Sequence, residues 1–142
     1  MTSARSASCF CGAVELSLEG EPVVQGYCHC DSCRRWTAQP FIAYSLWPTP
    51  HVHVTKGEDV LGAAPRNDNI TNRFCTRCGG NVMSESSFAG LTDVFPAIIT
   101  GFAFEPSGHV NYAERMVDVR DGLPKFKDMP EPAGGSGEMI PE

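Results

Sequence analysis

The chain has 142 residues, 42% of them hydrophobic, and carries 17 Asp and Glu against 11 Lys and Arg for a net charge of −6. That length suits a single domain with apolar surface enough for a core. The acidic balance argues against a nucleic-acid partner, which needs a basic face, and no apolar run approaches the ~20 residues of a membrane span. Nothing in the first eight residues reads as a secretory signal, so a reducing, cytoplasmic setting is expected.

Residues 1–7 are small and polar and read as a flexible N-terminus. From there period-2 and β-branched patterns dominate. Residues 13–18 alternate inward and outward as a half-buried strand should, and Gly20-Glu21-Pro22 ends the run. Further short strands are expected over 23–28, 41–47, 51–54, 70–74 and 94–99, with a weaker one over 109–113. The one helical candidate is 31–37, for which Asp31 is a plausible N-cap. Residues 128–142 are rich in Pro, Gly and acid and read as a disordered tail. The fold class these patterns suit is mainly β: an irregular all-β domain of short strands with at most a short helix.

Seven cysteines fall into three groups: Cys9 and Cys11; Cys28, Cys30 and Cys33; Cys75 and Cys78. In a reducing compartment such clusters serve metals more often than disulfides, and an odd count fits a disulfide framework poorly. Four thiolates close a tetrahedral zinc site, whereas three leave one coordination position for chemistry. Cys75-Thr76-Arg77-Cys78-Gly79-Gly80 is a zinc-knuckle pattern, in which the glycine supplies a left-handed backbone conformation. Cys9-Phe10-Cys11-Gly12 shares that trailing glycine, so Cys9, Cys11, Cys75 and Cys78 form the expected closed site. Cys28 and Cys30 project to one face of an extended segment with His29 opposite, and the turn at Asp31 brings Cys33 round as a third ligand. A thiol entering the fourth position of such a site would lose its proton at neutral pH. A different division, with Cys28 and Cys30 completing the knuckle, is also open at this point.

Arg34 and Arg35 follow the open cluster directly. They are candidates to receive the carboxylates of an anionic thiol, although adjacent arginines on a short helix commonly just meet solvent or surface acids. Trp36 reads as a core residue. His51, His53 and His109 are weak site candidates, of interest chiefly as fourth ligands if the second site were closed.

The string Gly26-Tyr27-Cys28-His29-Cys30-Asp31-Ser32-Cys33-Arg34-Arg35-Trp36-Thr37 resembles the signature of the glutathione-dependent formaldehyde-activating enzyme family, whose domain is shared with centromere protein V. The opening Cys9-Phe10-Cys11-Gly12-Ala13-Val14, the segment Arg73-Phe74-Cys75-Thr76-Arg77-Cys78-Gly79 and the closing Asp121-Gly122-Leu123-Pro124-Lys125-Phe126 resemble its other motifs, in matching order. The resemblance, over residues 8–127, implies a complex, irregular all-β zinc-binding fold of short sheets with cysteine knuckles. It implies two Zn²⁺ sites in that domain, a structural one at Cys9, Cys11, Cys75 and Cys78 and a catalytic one at Cys28, Cys30 and Cys33. It implies a carbon–sulfur lyase that joins glutathione and formaldehyde as S-hydroxymethylglutathione.

Two other readings fit the same residues. A non-catalytic carrier would use the open zinc simply to hold glutathione or another small thiol. An interaction module would carry two structural zincs and need a fourth protein ligand at Cys28, Cys30 and Cys33.

Overall fold

A computed structural model of the chain describes residues 4–87 and 89–142. They fall into two compact units, one formed by residues through Val24 together with Ser45–Phe104, the other by Gln25–Tyr44 with Glu105–Glu142. Among the described residues, no helix is long and apolar enough to cross a membrane.

The first unit opens with β1 (Ala4–Ser8), which pairs antiparallel with β2 (Glu15–Glu19), itself paired with β5 (Val52–Lys56). Leu16 and Leu18 on β2 are buried while Glu15 and Glu19 are exposed, the alternation that the sequence pattern predicts. Residues 4–7 were expected to be loose; in the structure they supply β1, because Arg5 and Ala7 register with Leu18 and Leu16. Residues 1–3 of that expectation lie outside the described residues.

The unit's second sheet runs in the order β4 (Ile42–Pro48), β9 (Leu91–Val94), β8 (Asn81–Ser86), β7 (Ile70–Cys75), β6 (Leu61–Pro65), with the latter half of β4 in this unit. The neighbours from β9 to β6 are all antiparallel. Strands β6 and β8 were not anticipated, since Leu61-Gly62-Ala63-Ala64-Pro65 has little β-propensity of its own. The apolar stretch at 94–99 is not one strand. It ends β9 at Val94, and Pro96–Ile98 forms a 3-10 turn, as Pro96 withholds a ladder donor. Trp47, Leu16, Leu18, Val82 and Val94 lie at the centre of the core, and Cys9 and Cys75 belong to the same cluster.

In the second unit β3 (Val24–Cys28) lies between β4 and β10 (His109–Val110). The pairing of β10 with β3 is parallel and sets His109 beside Tyr27 and Val110 beside Cys28. Gly26 is obligatory here: a Cβ would run into the Tyr44 hydroxyl and the Gly108 carbonyl. The helix α1 (Asp31–Thr37) follows β3 after two residues and stops at Ala38, whose backbone is left-handed at φ 55°. Its N-cap is Cys30 rather than Asp31, because the sulfur, not the carboxylate, accepts the Cys33 amide. Composition suggests a loose tail at 128–142, yet in the structure Lys127 and Ile140 bond back to Glu138 and Lys125, and Asp128 caps the loop by accepting from Ser136.

Candidate metal centres

In the first unit, Cys9 follows the last residue of β1 and Cys75 ends β7, so two strand ends deliver two sulfurs. Cys11 and Cys78 come from the turns after them. Both turns close on backbone bonds, Gly12 N–H to Cys9 O at 3.1 Å and Gly79 N–H to Cys75 O at 2.8 Å. Gly12 and Gly79 have φ of 80° and 75°, the left-handed conformation expected of the trailing glycines. The four sulfurs lie within 4.8 Å of one another. Cys11 Sγ stands 3.8 Å from Cys9 Sγ and 3.7 Å from Cys75 Sγ. A tetrahedron with metal–sulfur bonds of ~2.3 Å has edges of about 3.8 Å, so the arrangement has the size that such an ion requires.

Backbone amides also point at these sulfurs. Val14 donates to Cys9 Sγ at 3.3 Å, Arg77 to Cys75 Sγ at 3.4 Å and Gly80 to Cys78 Sγ at 3.4 Å. The Gly80 amide leads the influences that pull the Cys78 thiol down to about 6. Donors aimed at sulfur favour thiolate, which is the metal-binding form.

In the second unit, Cys28 ends β3, Cys30 caps α1 and Cys33 lies in its first turn. These three sulfurs also lie within 4.8 Å of one another, and no fourth His, Cys or carboxylate ligand atom among the described residues joins them. The Cys33 amide donates to Cys30 Sγ at 3.2 Å and Asn111 Nδ2 to Cys28 Sγ at 3.5 Å. Crowding raises the thiols. Cys30, followed by burial, takes Cys28 up to about 11, and Cys28 and Cys30 push Cys33 far above the ordinary thiol range. Bringing all three to the thiolate form would take a cation among them, and a soft divalent ion matches the donor set. The chain thus has two cysteine clusters able to hold metal ions, divided four and three.

None of the other sequence candidates joins a cysteine cluster as a ligand. Arg35 reaches back along α1 to both oxygens of Asp31 at 3.0 Å. Arg34 donates to the His29 carbonyl at 3.1 Å and to Asp31 at 3.4 Å. His53 meets Glu19 at 3.2 Å on exposed sheet surface, and His51 sits in a 3-10 turn of the same unit. Neither joins a cysteine cluster.

His109 does not ligate, but it is far from a bland strand-end residue. It and His29 are wholly buried, with His29 Nε2 2.8 Å from His109 Nδ1. His109 Nε2 lies 2.7 Å from Asp121 Oδ2. Asp121 in turn receives Lys125 Nζ at 2.5 Å, and Lys125, 1% exposed, also bonds Glu142 at 2.7 Å. Burial pushes His29 down to about 4. Burial would raise Asp121, but its bonds from Lys125 and His109 overcome that and hold it well below the carboxylate range. A lysine inside the closing motif Leu123-Pro124-Lys125-Phe126 was the available signal for this network; the partners along it are separated by up to 80 positions and could not be paired from sequence.

Comparison with known proteins agrees with the motifs. A family model described as glutathione-dependent formaldehyde-activating enzyme matches residues 4–112. An uncharacterized lyase of Schizosaccharomyces pombe is 33% identical over 105 residues, which are 74% of this chain and 72% of that protein. A crystal structure of a Rhodobacter sphaeroides protein matches with a TM-score of 0.57 at 23% identity, covering 69% of this chain and 90% of the other. At that identity the likeness concerns the fold alone.

Proposed function

The chain belongs to the glutathione-dependent formaldehyde-activating enzyme family, and from that premise we propose that it is a zinc-dependent carbon–sulfur lyase acting on a thiol–aldehyde adduct, such as S-hydroxymethylglutathione formed from glutathione and formaldehyde. The observation that carries this reading is the three-sulfur cluster of Cys28, Cys30 and Cys33, one ligand short of closure, in a chain that also has a complete four-sulfur cluster. Cys9, Cys11, Cys75 and Cys78 would hold a structural Zn²⁺ and the other three a catalytic one. When bound there, zinc supplies a Lewis-acidic position at which a thiol is acidified.

The chain's own residues hold that site. The Cys33 amide and Asn111 stabilise negative charge on Cys30 and Cys28. Arg34 and Arg35 are assigned to the carboxylates of the thiol substrate. Both are tethered through Asp31, so Asp31 competes with such a ligand for them. The addition forms one C–S bond, opens the aldehyde C=O to C–O and transfers the thiol proton to that oxygen; nothing is oxidised. The reverse reaction retraces those changes. All seven cysteines are free, which supports placing the protein in a reducing compartment, the cytoplasm.

The deciding experiment measures glutathione–formaldehyde exchange by NMR with and without protein. Exchange faster than the uncatalysed reaction, abolished in Cys30→Ser, is the expected result. Thiol binding at the metal without acceleration would establish the carrier instead. Metal analysis giving one zinc per chain would refute the open site.

A further inference from the structure

His29 stands between two of the three cysteines of the open cluster, and the structure fixes it on every side. Its amide donates to Val110 O at 3.1 Å and its carbonyl accepts from Arg34 Nε at 3.1 Å. The ring stacks on Phe41 at 4.7 Å and meets Tyr112 edge-on at 4.9 Å. Nε2 faces His109 Nδ1, whereas the buried Nδ1 has no hydrogen-bond partner. An unpartnered polar atom in a wholly buried ring asks for an explanation.

The chain of acceptors provides one. Asp121 is ion-paired with Lys125, so its carboxylate only accepts. His109 therefore donates from Nε2. Were its Nδ1 protonated as well, His29 would have to accept at Nε2 and leave an orphaned N–H at its buried Nδ1, so His109 presents a bare Nδ1. That bare nitrogen accepts from His29 Nε2–H, which leaves His29 Nδ1 as a lone pair. A lone pair can remain unpaired at lower cost than a buried N–H, since orphaned donors are the rarer defect. The direction of both bonds, His109 to Asp121 and His29 to His109, is thus set from Asp121, a residue outside the 4–112 family match.

We propose that Asp121 is a positioning residue for the open site: acting through His109, it holds His29 in the Nε2–H tautomer and so fixes the backbone that carries Cys28 and Cys30. This role rests on the reading of Cys28, Cys30 and Cys33 as a metal site, while the tautomer chain does not. The precedent in physical terms is the outer partner that orients a metal ligand, whose loss weakens binding about 10–100-fold. Here the oriented element is the residue between two ligands rather than a ligand itself. Arg34, assigned above to substrate, holds the His29 carbonyl from the other side.

The test uses the zinc-loaded full chain with ¹⁵N-labelled histidine, and compares wild type with Asp121→Ala and Asp121→Asn. Wild type should show both buried rings neutral and protonated at Nε2. Asparagine keeps an acceptor oxygen and should keep that pattern. Alanine removes the acceptor, and His29 should then show mixed or Nδ1–H signals. Zinc release to a chromophoric chelator supplies the second readout, with the closed site as internal control. The alanine variant should release its open-site zinc about tenfold faster, the closed-site rate should be unchanged, and asparagine should restore the slow rate. A wild-type His29 protonated at Nδ1, or an altered tautomer in Asp121→Ala with unchanged zinc release, overturns the proposal. Only one zinc per wild-type chain, with the Nε2–H pattern intact, refutes the open site and the positioning role with it while leaving the tautomer chain standing.

Discussion

The amide of Cys33 donates to the sulfur of Cys30 at 3.2 Å, so one cysteine is at once the N-cap of α1 and a member of the three-sulfur cluster. Local structure and site are therefore coupled through a single atom. Cys30→Ser separates them, since a serine hydroxyl caps as well as any side chain. The variant should fold with unchanged circular dichroism and full metal at the closed site, and lose metal at Cys28 and Cys33. Elemental analysis checks this. Loss of the whole fold would mean that the second cluster is structural and that the four-plus-three division is wrong.

Cys75→Ser should behave differently. Cys75 is fully buried in the core cluster of the first unit, at the end of β7, and accepts the Arg77 amide. Removing it should cost several kcal/mol, because binding energy at a closed zinc site is folding energy. Melting should fall by roughly 10 °C or more, and a strong chelator should bring wild type to the same state. Equal stability in calorimetry would show that the first cluster is dispensable.

Asp93 offers a pH prediction. It accepts from the Ser45 amide at 3.1 Å, and burial pushes its carboxyl up to about 7 despite that bond and the nearby Arg66. The unfolded chain gives up this proton near 3.8, so stability tied to the group is full below that pH and is lost as pH rises toward 7. Asp93→Asn keeps the acceptor oxygen and removes the charge. Its advantage over wild type should grow from pH 5 to pH 8 and reach a few kcal/mol, measured as denaturant midpoints at constant metal. A variant less stable than wild type at pH 8 would show that the carboxylate is satisfied by something more than Ser45.

Gly57 follows β5 and lies against Ala13, in the loop after Cys11. Its φ is +80°, and an added Cβ would meet the carbonyl of Ala13, well inside van der Waals contact. Gly57→Ala should destabilise by about 2 kcal/mol or more, since left-handed strain alone costs roughly 1–2 kcal/mol. It should also speed metal loss from the closed site, because Ala13 belongs to the loop after Cys11. Thermal melts with parallel zinc-release kinetics check both effects; an unchanged melting temperature would mean that the loop moves freely.

Arg35→Ala tests the assignment of substrate carboxylates. Its guanidinium is largely exposed and, among the described residues, is bonded to Asp31 of its own helix, so stability should shift by no more than about 0.5 kcal/mol. A raised KM for glutathione with unchanged metal content is the expected result. An unchanged KM would remove Arg35 from the site.

The grouping of the seven cysteines into clusters of four and three was legible in the sequence because Cys-x-Cys, Cys-x-x-Cys and their glycines encode a local turn, and local turns depend on neighbours a few residues away. The 31–37 helix and the alternation of β2 were legible for the same reason. Strands β1, β6 and β8 were not, since their polar or small side chains acquire strand geometry only from the partners they pair with. His29, His109, Asp121 and Lys125 were each visible but could not be assigned to one another. Sequence by itself thus determined the donor chemistry, thiolates in groups of four and three, because a ligand's softness belongs to the residue type. Tertiary structure decided which buried polar groups meet: a hydrogen bond between positions 29 and 109 exists only once β3 and β10 lie side by side, and no local pattern records it.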